Sequence, residues 1–340
     1  MEKILSIIIP VYKVEKFIRQ CLDSVILDEE QMECLEVIVV NDGTPDQSGV
    51  IAHEYEKRFP QSIKVIDKEN GGHGSTWNVG LKNASGKYIR FLDSDDWLSN
   101  LSPFVEKLRN RNEDLIFTHL VKFDERTQSS SISPIHGVEY NQVYSTHTFS
   151  IAKTGNKYNI FNFWYCTYKK DIFNDVQPLF VEKVFYDDAI LFMAPYILGK
   201  NMVFLDMTLY NYRIGQSGQS VNVNVERKHA VDYVKVSKSL VEFANKHQNI
   251  NKVQKDHRDS FLSQYMKNRF SLFSQLPYKE FRSIIDDFLP YIQKNAPYIK
   301  LSPKAKLYKA MPSYLGWYCI NIFNKYILKI DWNIRNDLSK

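Results

Sequence analysis

Residues 87–100 read KYIRFLDSDDWLSN, in which an apolar run typical of a buried strand leads into Asp93, Asp95 and Asp96. Like charges this close repel one another, and removing a carboxylate from water is costly. A single aspartate here would be typical of a helix cap in a solvated turn. Three within four positions instead indicate a cation site, because hard divalent cations such as Mn²⁺ or Mg²⁺ take carboxylate oxygens as ligands. Asp93 and Asp95, one residue apart, point to the same side of an extended segment and are the candidate ligands.

The elements that must position this turn are predicted by alternating patterns in the first hundred residues. Apolar, β-branched runs predict strands at 6–11, 35–40, 63–66 and 88–92, separated by helical patterns at 14–26, 46–59 and 74–83. Buried strands separated by helices predict a mostly parallel sheet with helices on both faces. Ligands of such sheets bind beyond the carboxyl ends of the strands, where Tyr12, Asp42 and Asp93 lie. The three residues should therefore line one crevice.

Composition divides the chain into an acidic and a basic part. Residues 1–229 hold 25 basic and 30 acidic residues, whereas residues 230–340 hold 19 and 9 and are strongly helical in pattern. We therefore predict domains at 1–225 and 226–340, the second a mainly helical, basic C-terminal region. The 4 cysteines are scattered without metal-binding spacing, and no apolar run is long enough to span a membrane. A cytoplasmic location is expected.

Three segments occur in a characteristic order: SIIIPVY, then LEVIVVNDGT, then ENGGHGSTWNVGLKNASGKYIRFLDSDDW. Together they resemble the catalytic domain of the inverting glycosyltransferase family 2, closely over residues 4–98 and loosely to about residue 220. The resemblance implies the α/β, Rossmann-like GT-A fold, with residues 1–98 binding a nucleotide sugar and residues 99–225 facing the acceptor. It also implies transfer of a sugar, expected to be UDP-linked, to a hydroxyl of a glycan or lipid-linked glycan, as in synthesis of bacterial capsule or wall polysaccharides.

The resemblance also implies roles for residues around the donor. Pro10, Tyr12 and Asp42 match positions that hold the nucleoside, where the aspartate can accept from the uracil N–H and the tyrosine ring can cover the base. Asn78 matches a recurring family position near the donor pocket, and Arg213 matches a segment that closes over the diphosphate. Without the resemblance, a proline-terminated strand and an Asx-turn would explain the first three.

The acidic residues take the chemical roles in this resemblance. The family D-x-D motif falls on Asp93-Ser94-Asp95, which implies Asp93 near the ribose and both Asp93 and Asp95 as candidate ligands of Mn²⁺ or Mg²⁺. The acidic pair that precedes an apolar helix falls on Asp187 and Asp188. We predict Asp188 as the general base and Asp187 as its neighbour, although the family more often has Glu at the first position. The alternative for this pair is a helix N-terminus with two favourable acids.

Three further residues give weaker indications of function. His73 could contact a phosphate or metal, but a loop histidine is more often without function. Trp97 and Trp164 are candidate platforms for stacking a sugar, with core packing the alternative for Trp164.

Two other function classes are alternatives to the transferase. A non-catalytic nucleotide- or glycan-binding protein with the same fold is the main alternative, but it would not need all of Asp42, Asp93, Asp95 and Asp188. A nucleotidyltransferase would carry a glycine-rich basic loop after the first strand, where this chain has VYKVEKF. The basic aromatic C-terminal region predicts peripheral contact with the inner membrane face, or else a solvated helical surface. No nucleic-acid partner is predicted.

Overall fold

The computed structural model describes residues 2–150, 162–216, 223–300, 302–310 and 313–322. They divide into two compact units, the first comprising Met1–Ile214 with Ile250–Gln254 and the second Gly215–Asn249 with Lys255–Lys340. The domain boundary predicted after residue 225 stays a prediction, and residues 323–340 of the predicted helical region lie outside the described residues.

The first unit is built on one ten-stranded sheet. Its strands are β1 (Leu5–Val11), β2 (Leu35–Asn41), β3 (Ile63–Asp67), β4 (Tyr88–Phe91), β5 (Trp97–Leu98), β6 (Leu115–Asp124), β7 (Ser129–Ser133), β8 (Val143–Ser145), β9 (Cys166–Lys169) and β10 (Asn201–Ile214). The spatial order is β3-β2-β1-β4-β9-β6-β10-β5, with β7 beside β6 and β8 beside β10. The predicted α/β class is confirmed.

The four strands predicted near the N-terminus form one parallel block of the sheet, and β6 and β10 also pair in parallel. β1 pairs in parallel with β2 and β4, and β2 pairs in parallel with β3. β9 enters between β4 and β6 antiparallel to both, so the sheet as a whole is mixed. All seven side chains of β1 are buried, as expected for a strand covered on both faces. The parallel register brings the carboxyl ends of β1, β2 and β4 to one edge.

Six α-helices surround this sheet within the described part of the first unit: α1 (Ile18–Asp23), α2 (Glu29–Cys34), α3 (Ser48–Arg58), α4 (His73–Asn83), α5 (Leu101–Arg109) and α6 (Ala194–Leu198). α2 was not predicted; the Asp28 side chain caps its start by accepting from the Gln31 backbone N–H at 2.9 Å. α4 packs so closely on β1 that a Cβ at Gly80 would overlap the Ile8 side chain. Its first residue, His73, lies at the carboxyl edge of the sheet.

The second unit is helical. It contains α7 (Val223–Lys228), α8 (Ala230–Lys246), α9 (Lys252–Phe273) from Lys255 onward, α10 (Tyr278–Asn295), α11 (Pro303–Ala310) and α12 (Tyr314–Ile322). The predicted helical character of the C-terminal region is confirmed for these residues. None of the helices described here is both long and apolar enough to cross a membrane.

Candidate active site

The acidic turn that follows β4 gathers its three carboxylates. Asp93, Asp95 and Asp96 each offer one carboxylate oxygen, and these oxygens lie within 4.8 Å of one another. Both carboxylate oxygens of Asp96 are bonded to residues of β10. One accepts from the Tyr210 hydroxyl and the other from the Arg213 backbone N–H, each at 2.7 Å. Asp96 is 1% exposed, so it anchors the turn. Asp93 and Asp95 are left facing the edge of the sheet with greater exposure.

Burial and crowding raise the pKa values of two of these carboxylates. Burial, and then the charge of Asp93, raise the pKa of Asp95 to about 6. Burial, and then the charges of Asp95 and Asp93, raise the pKa of Asp96 well above its ordinary value. Both shifts have the direction expected where like charges share a site of low dielectric. Oxygen ligands that repel one another in this way suit a hard divalent cation.

Arg213 lies behind this turn. The side chain is 4% exposed, and its Nε donates to the backbone carbonyl of Asp95 at 2.8 Å. The guanidinium also pairs with Glu125 and lies 4.9 Å from the ring centres of both Phe17 and Trp97. These contacts hold the backbone of the acidic turn in place. The predicted pairing of Arg213 with a diphosphate stays a prediction.

The predicted nucleoside residues lie at the neighbouring ends of β1 and β2. Pro10 is buried within β1, and Tyr12, just beyond it, is 43% exposed. The Asp42 backbone N–H donates to the carbonyl of Val11 at 3.0 Å, which holds the two strand ends together. The sequence therefore predicted the convergence of Tyr12, Asp42 and Asp93 on one edge correctly.

The Asp42 carboxylate organises the loop that precedes α4. The side chain is buried and accepts from the backbone N–H groups of Gly71 and Gly72, each at 2.8 Å, and from Lys68 Nζ at 2.7 Å. Gly72 has a φ of 82°, a left-handed conformation that favours glycine. This loop leads directly into His73, so Asp42 sets the start of α4. A contact between Asp42 and a nucleobase stays a prediction.

His73 connects the acidic turn with the second acidic pair. Its Nδ1 lies 3.1 Å from Asp187 Oδ1, and its Nε2 lies 3.4 Å from Asp93 Oδ1. Although burial lowers it, the carboxylates of Asp187 and Asp93 raise the pKa of His73 well above its ordinary value. The two carboxylates therefore favour the protonated form of the ring. The residues around His73 in the chain do not indicate this bridging position, because its two partners lie 114 and 20 residues away.

Asp187 and Asp188 begin a short 3-10 helix, Asp187–Phe192, after Tyr186 with a φ of 66°. Asp187 is 3% exposed and is held by His73. Burial, and then the charge of Asp187, raise the pKa of Asp188 to about 7, against the opposing charge of His73. A carboxyl group with such a pKa exchanges protons near neutral pH.

Asn78 lies on α4, one and a half turns after His73, and contacts the segment that leads to this pair. Its side-chain amide bonds to the backbone of Leu179 and Phe180. Of the candidate sugar platforms, Trp97 packs on Arg213, and Trp164 stacks on Tyr212 with ring centres 4.5 Å apart.

Comparison with known proteins relates this chain to one family. Residues 6–176, half of the chain, match the family model for Glycosyl transferase family 2. Over 220 residues the chain is 34% identical to the uncharacterized glycosyltransferase EpsJ of Bacillus subtilis (strain 168), which covers 63% of this chain and 62% of EpsJ. Over 222 residues it is 29% identical to the glycosyltransferase GlyA of Streptococcus pneumoniae serotype 4, which covers 64% of this chain and 31% of GlyA.

A third similarity extends to a solved structure. The poly(ribitol-phosphate) beta-N-acetylglucosaminyltransferase TarS of Staphylococcus aureus (strain MW2) is 23% identical over 273 residues, covering 78% of this chain and 44% of TarS. The crystal structure of S. aureus TarS 1–349 in complex with UDP-GlcNAc matches with a TM-score of 0.64 and 21% identity, covering 90% of this chain and 87% of that one. The chain thus spans less than two thirds of each full-length relative. The structural match supports the predicted fold class.

Proposed function

Since the chain belongs to glycosyltransferase family 2, we propose that it transfers a sugar from a UDP-linked donor to a hydroxyl of a glycan or lipid-linked glycan, with inversion at the anomeric carbon. The observation that carries this proposal is the position of His73, which contacts both Asp93 of the acidic turn and Asp187 of the second pair. The proposed donor-binding turn and the proposed base are thereby neighbours. UDP is favoured as the nucleotide because TarS, a structural relative, binds UDP-GlcNAc.

Asp93 and Asp95 are the proposed ligands of a Mn²⁺ or Mg²⁺ ion. Their carboxylate oxygens lie within 4.8 Å of each other. Burial, and then repulsion by Asp93, raise the pKa of Asp95 to about 6, and a bound cation would offset both effects. Asp96 is already bound by Tyr210 and Arg213, so it fits an anchoring role better. When bound, such an ion neutralises negative charge that develops on the departing diphosphate.

Asp188 is the proposed general base. As the acceptor oxygen attacks the anomeric carbon, its proton passes to the Asp188 carboxylate, and the bond between that carbon and the diphosphate oxygen breaks with its electron pair leaving on UDP. The pKa of Asp188, about 7, allows it to be ionised before the step and to hold the proton after it. Asp187, bonded to His73, would hold the first turn of this 3-10 helix in place.

For the acceptor side, we propose that the C-terminal helices bring the chain to the inner membrane surface, where lipid-linked glycans are found. The side chains of Leu307, Tyr314, Leu315 and Tyr318 are exposed on α11 and α12, close in sequence to Lys306 and Lys309. Tyrosine suits the membrane–water interface, and lysine is attracted to anionic headgroups. Co-sedimentation with vesicles containing anionic lipid tests this part separately, and its failure leaves the transferase proposal intact.

The experiment that tests the function is thermal stabilisation by UDP, GDP and their sugar conjugates, with and without Mn²⁺. A nucleotide at about a hundred times its dissociation constant adds about 2.7 kcal/mol to the free energy of unfolding. Stabilisation by UDP-GlcNAc or another UDP-sugar that requires Mn²⁺, followed by release of UDP in the presence of acceptor, would support the proposal. Absence of stabilisation by every nucleotide would contradict it and favour a glycan-binding role. Binding without turnover by any donor would favour the non-catalytic alternative.

A further inference from the structure

We propose that Asn78 is a positioning residue that holds the segment carrying Asp187 and Asp188, and that it does not bind the nucleotide sugar. This inference rests on the proposed function, in which Asp188 is the base. A positioning role replaces the donor-binding role that the sequence suggested for Asn78. Removal of this side chain should then lower kcat and leave the affinity for UDP unchanged.

The argument starts from the hydrogen bonds of the Asn78 amide. Its Oδ1 accepts from the backbone N–H groups of Leu179 at 3.1 Å and of Phe180 at 3.0 Å. Its Nδ2 donates to the carbonyl of Phe180 at 2.9 Å and to Glu182 Oε1 at 3.1 Å. An asparagine amide has two donors and two acceptor sites, so these four bonds use its whole capacity. A nucleotide sugar could bond to Asn78 only by displacing one of them.

The segment bound by Asn78 has little structure of its own. Residues 174–186 contain only turns and bends before the 3-10 helix begins at Asp187. Its position must therefore come from contacts with other elements. Because Asn78 lies on α4, a helix packed against the central strands β1 and β2, it offers a rigid attachment point.

Neighbouring contacts support the same attachment. The Lys183 backbone N–H donates to the carbonyl of Gly71 at 2.9 Å, just before α4 begins. A Cβ at Gly74 would overlap the carbonyl of Val181 and lie 3.0 Å from Asp187 Oδ2. The start of α4 is thus shaped to receive residues 179–187, and Asn78 is the side chain that fixes the beginning of that segment.

The kinetic consequence follows from geometry. A base that moves by about 1 Å can lose about 10²-fold in rate. Among the described residues, the Asn78 side chain bonds only to residues 179, 180 and 182, and it makes no hydrogen bond to Asp42, Asp93 or Asp95 of the proposed donor pocket. We therefore expect Asn78→Ala to lower kcat for UDP release by about 30- to 100-fold. The dissociation constant of UDP with Mn²⁺ should stay within about twofold of wild type, because no bond to the donor is removed.

A matched control lies on the same helix. Asn83 is exposed, and its amide donates to the carbonyl of Val79 within α4, with no bond to residues 179–187. Asn83→Ala should leave both kcat and UDP affinity at wild-type values. If Asn78→Ala fails to fold, Asn78→Asp replaces it for the kinetic measurements. This variant retains an oxygen that accepts from Leu179 and Phe180, loses both donors and places a carboxylate against the Phe180 carbonyl and Glu182, so it should lower kcat in the same way.

Amide hydrogen exchange gives a readout that is independent of turnover. In wild type the Leu179 and Phe180 amides are bonded to Asn78, so their exchange should accelerate in Asn78→Ala, which removes the accepting oxygen, while exchange around Asp42 is unchanged. Unchanged exchange at residues 179–187, or a UDP dissociation constant raised tenfold or more with kcat preserved, would overturn the positioning role. Failure of wild type to bind UDP would instead contradict the proposed function, and the exchange measurement would still decide the role of Asn78.

Discussion

The raised pKa of Asp188 gives the most direct test of its role as base. Burial, and then the charge of Asp187, raise this pKa to about 7, so the carboxyl group is largely protonated below neutral pH and ionised above it. A protonated base cannot take the acceptor proton, and the rate should therefore fall as the pH falls. We expect kcat/KM, which reports ionisations of the free enzyme, to follow the ionised fraction of Asp188.

The magnitude follows from the position of this pKa. With a pKa of about 7 the ionised fraction is about 0.1 at pH 6 and about 0.9 at pH 8, so kcat/KM should rise about tenfold between these values. The assay is release of UDP from the sugar donor that binds most tightly, with Mn²⁺ and acceptor, from pH 5.5 to 9. An aspartate of ordinary pKa would give no change over this range.

Two histidine variants test the cause of the profile. Because the charge of His73 lowers the pKa of Asp188, His73→Gln should move the midpoint to higher pH. His53 pairs with Glu56 and Asp67 on the exposed side of α3, so His53→Gln should leave the midpoint unchanged. A midpoint below pH 5 in wild type, or a shift to lower pH in His73→Gln, would refute this account of the base.

Three other substitutions separate the roles of the carboxylates. Asp95→Ala should abolish the Mn²⁺-dependent part of UDP affinity. Unchanged affinity would mean that the metal binds to other residues. Asp188→Asn should retain UDP binding yet remove transfer, whereas wild-type turnover would leave another group as the base. Tyr210→Phe removes the 2.7 Å bond to Asp96 and should lower the free energy of unfolding in urea by about 1–3 kcal/mol. Its control, Tyr88→Phe, removes a buried hydroxyl without a hydrogen-bond partner among the described residues and should not lower it; equal losses would contradict the anchoring role.

Much of the fold could be predicted because its signals are local. The runs at 6–11 and 35–40 predicted β1 and β2 to within one residue, since continuous β-branched stretches are typical of strands buried on both faces. The helix predicted at 14–26 is shorter, Ile18–Asp23. β9 was not predicted, because its four residues, Cys166–Lys169, do not form an apolar run and the strand is defined by antiparallel pairing with β4 and β6.

The site was predictable to a lesser degree. The acidic residues could be found because charges next to apolar runs are conspicuous in a sequence, and strand order then brought the ends of β1, β2 and β4 together. The partners of the polar side chains could not be found: Asn78 bonds to Phe180, 102 residues away, and Arg213 bonds to the Asp95 carbonyl, 118 residues away. Such pairs are set by how segments dock, which composition and periodicity do not encode.

Hydrogen-bonding capacity separates residues that build the site from residues that can act in it. A carboxylate offers about four acceptor sites, and Asp42 uses three of them on Gly71, Gly72 and Lys68, so its hydrogen-bonding capacity is not exhausted. The amide of Asn78 uses all four of its positions on protein partners and has none to offer. The same family resemblance suggested donor contacts for both residues. Because they differ in remaining hydrogen-bonding capacity, we propose Asn78 as a positioning residue and keep Asp42 as a candidate ligand of the nucleobase.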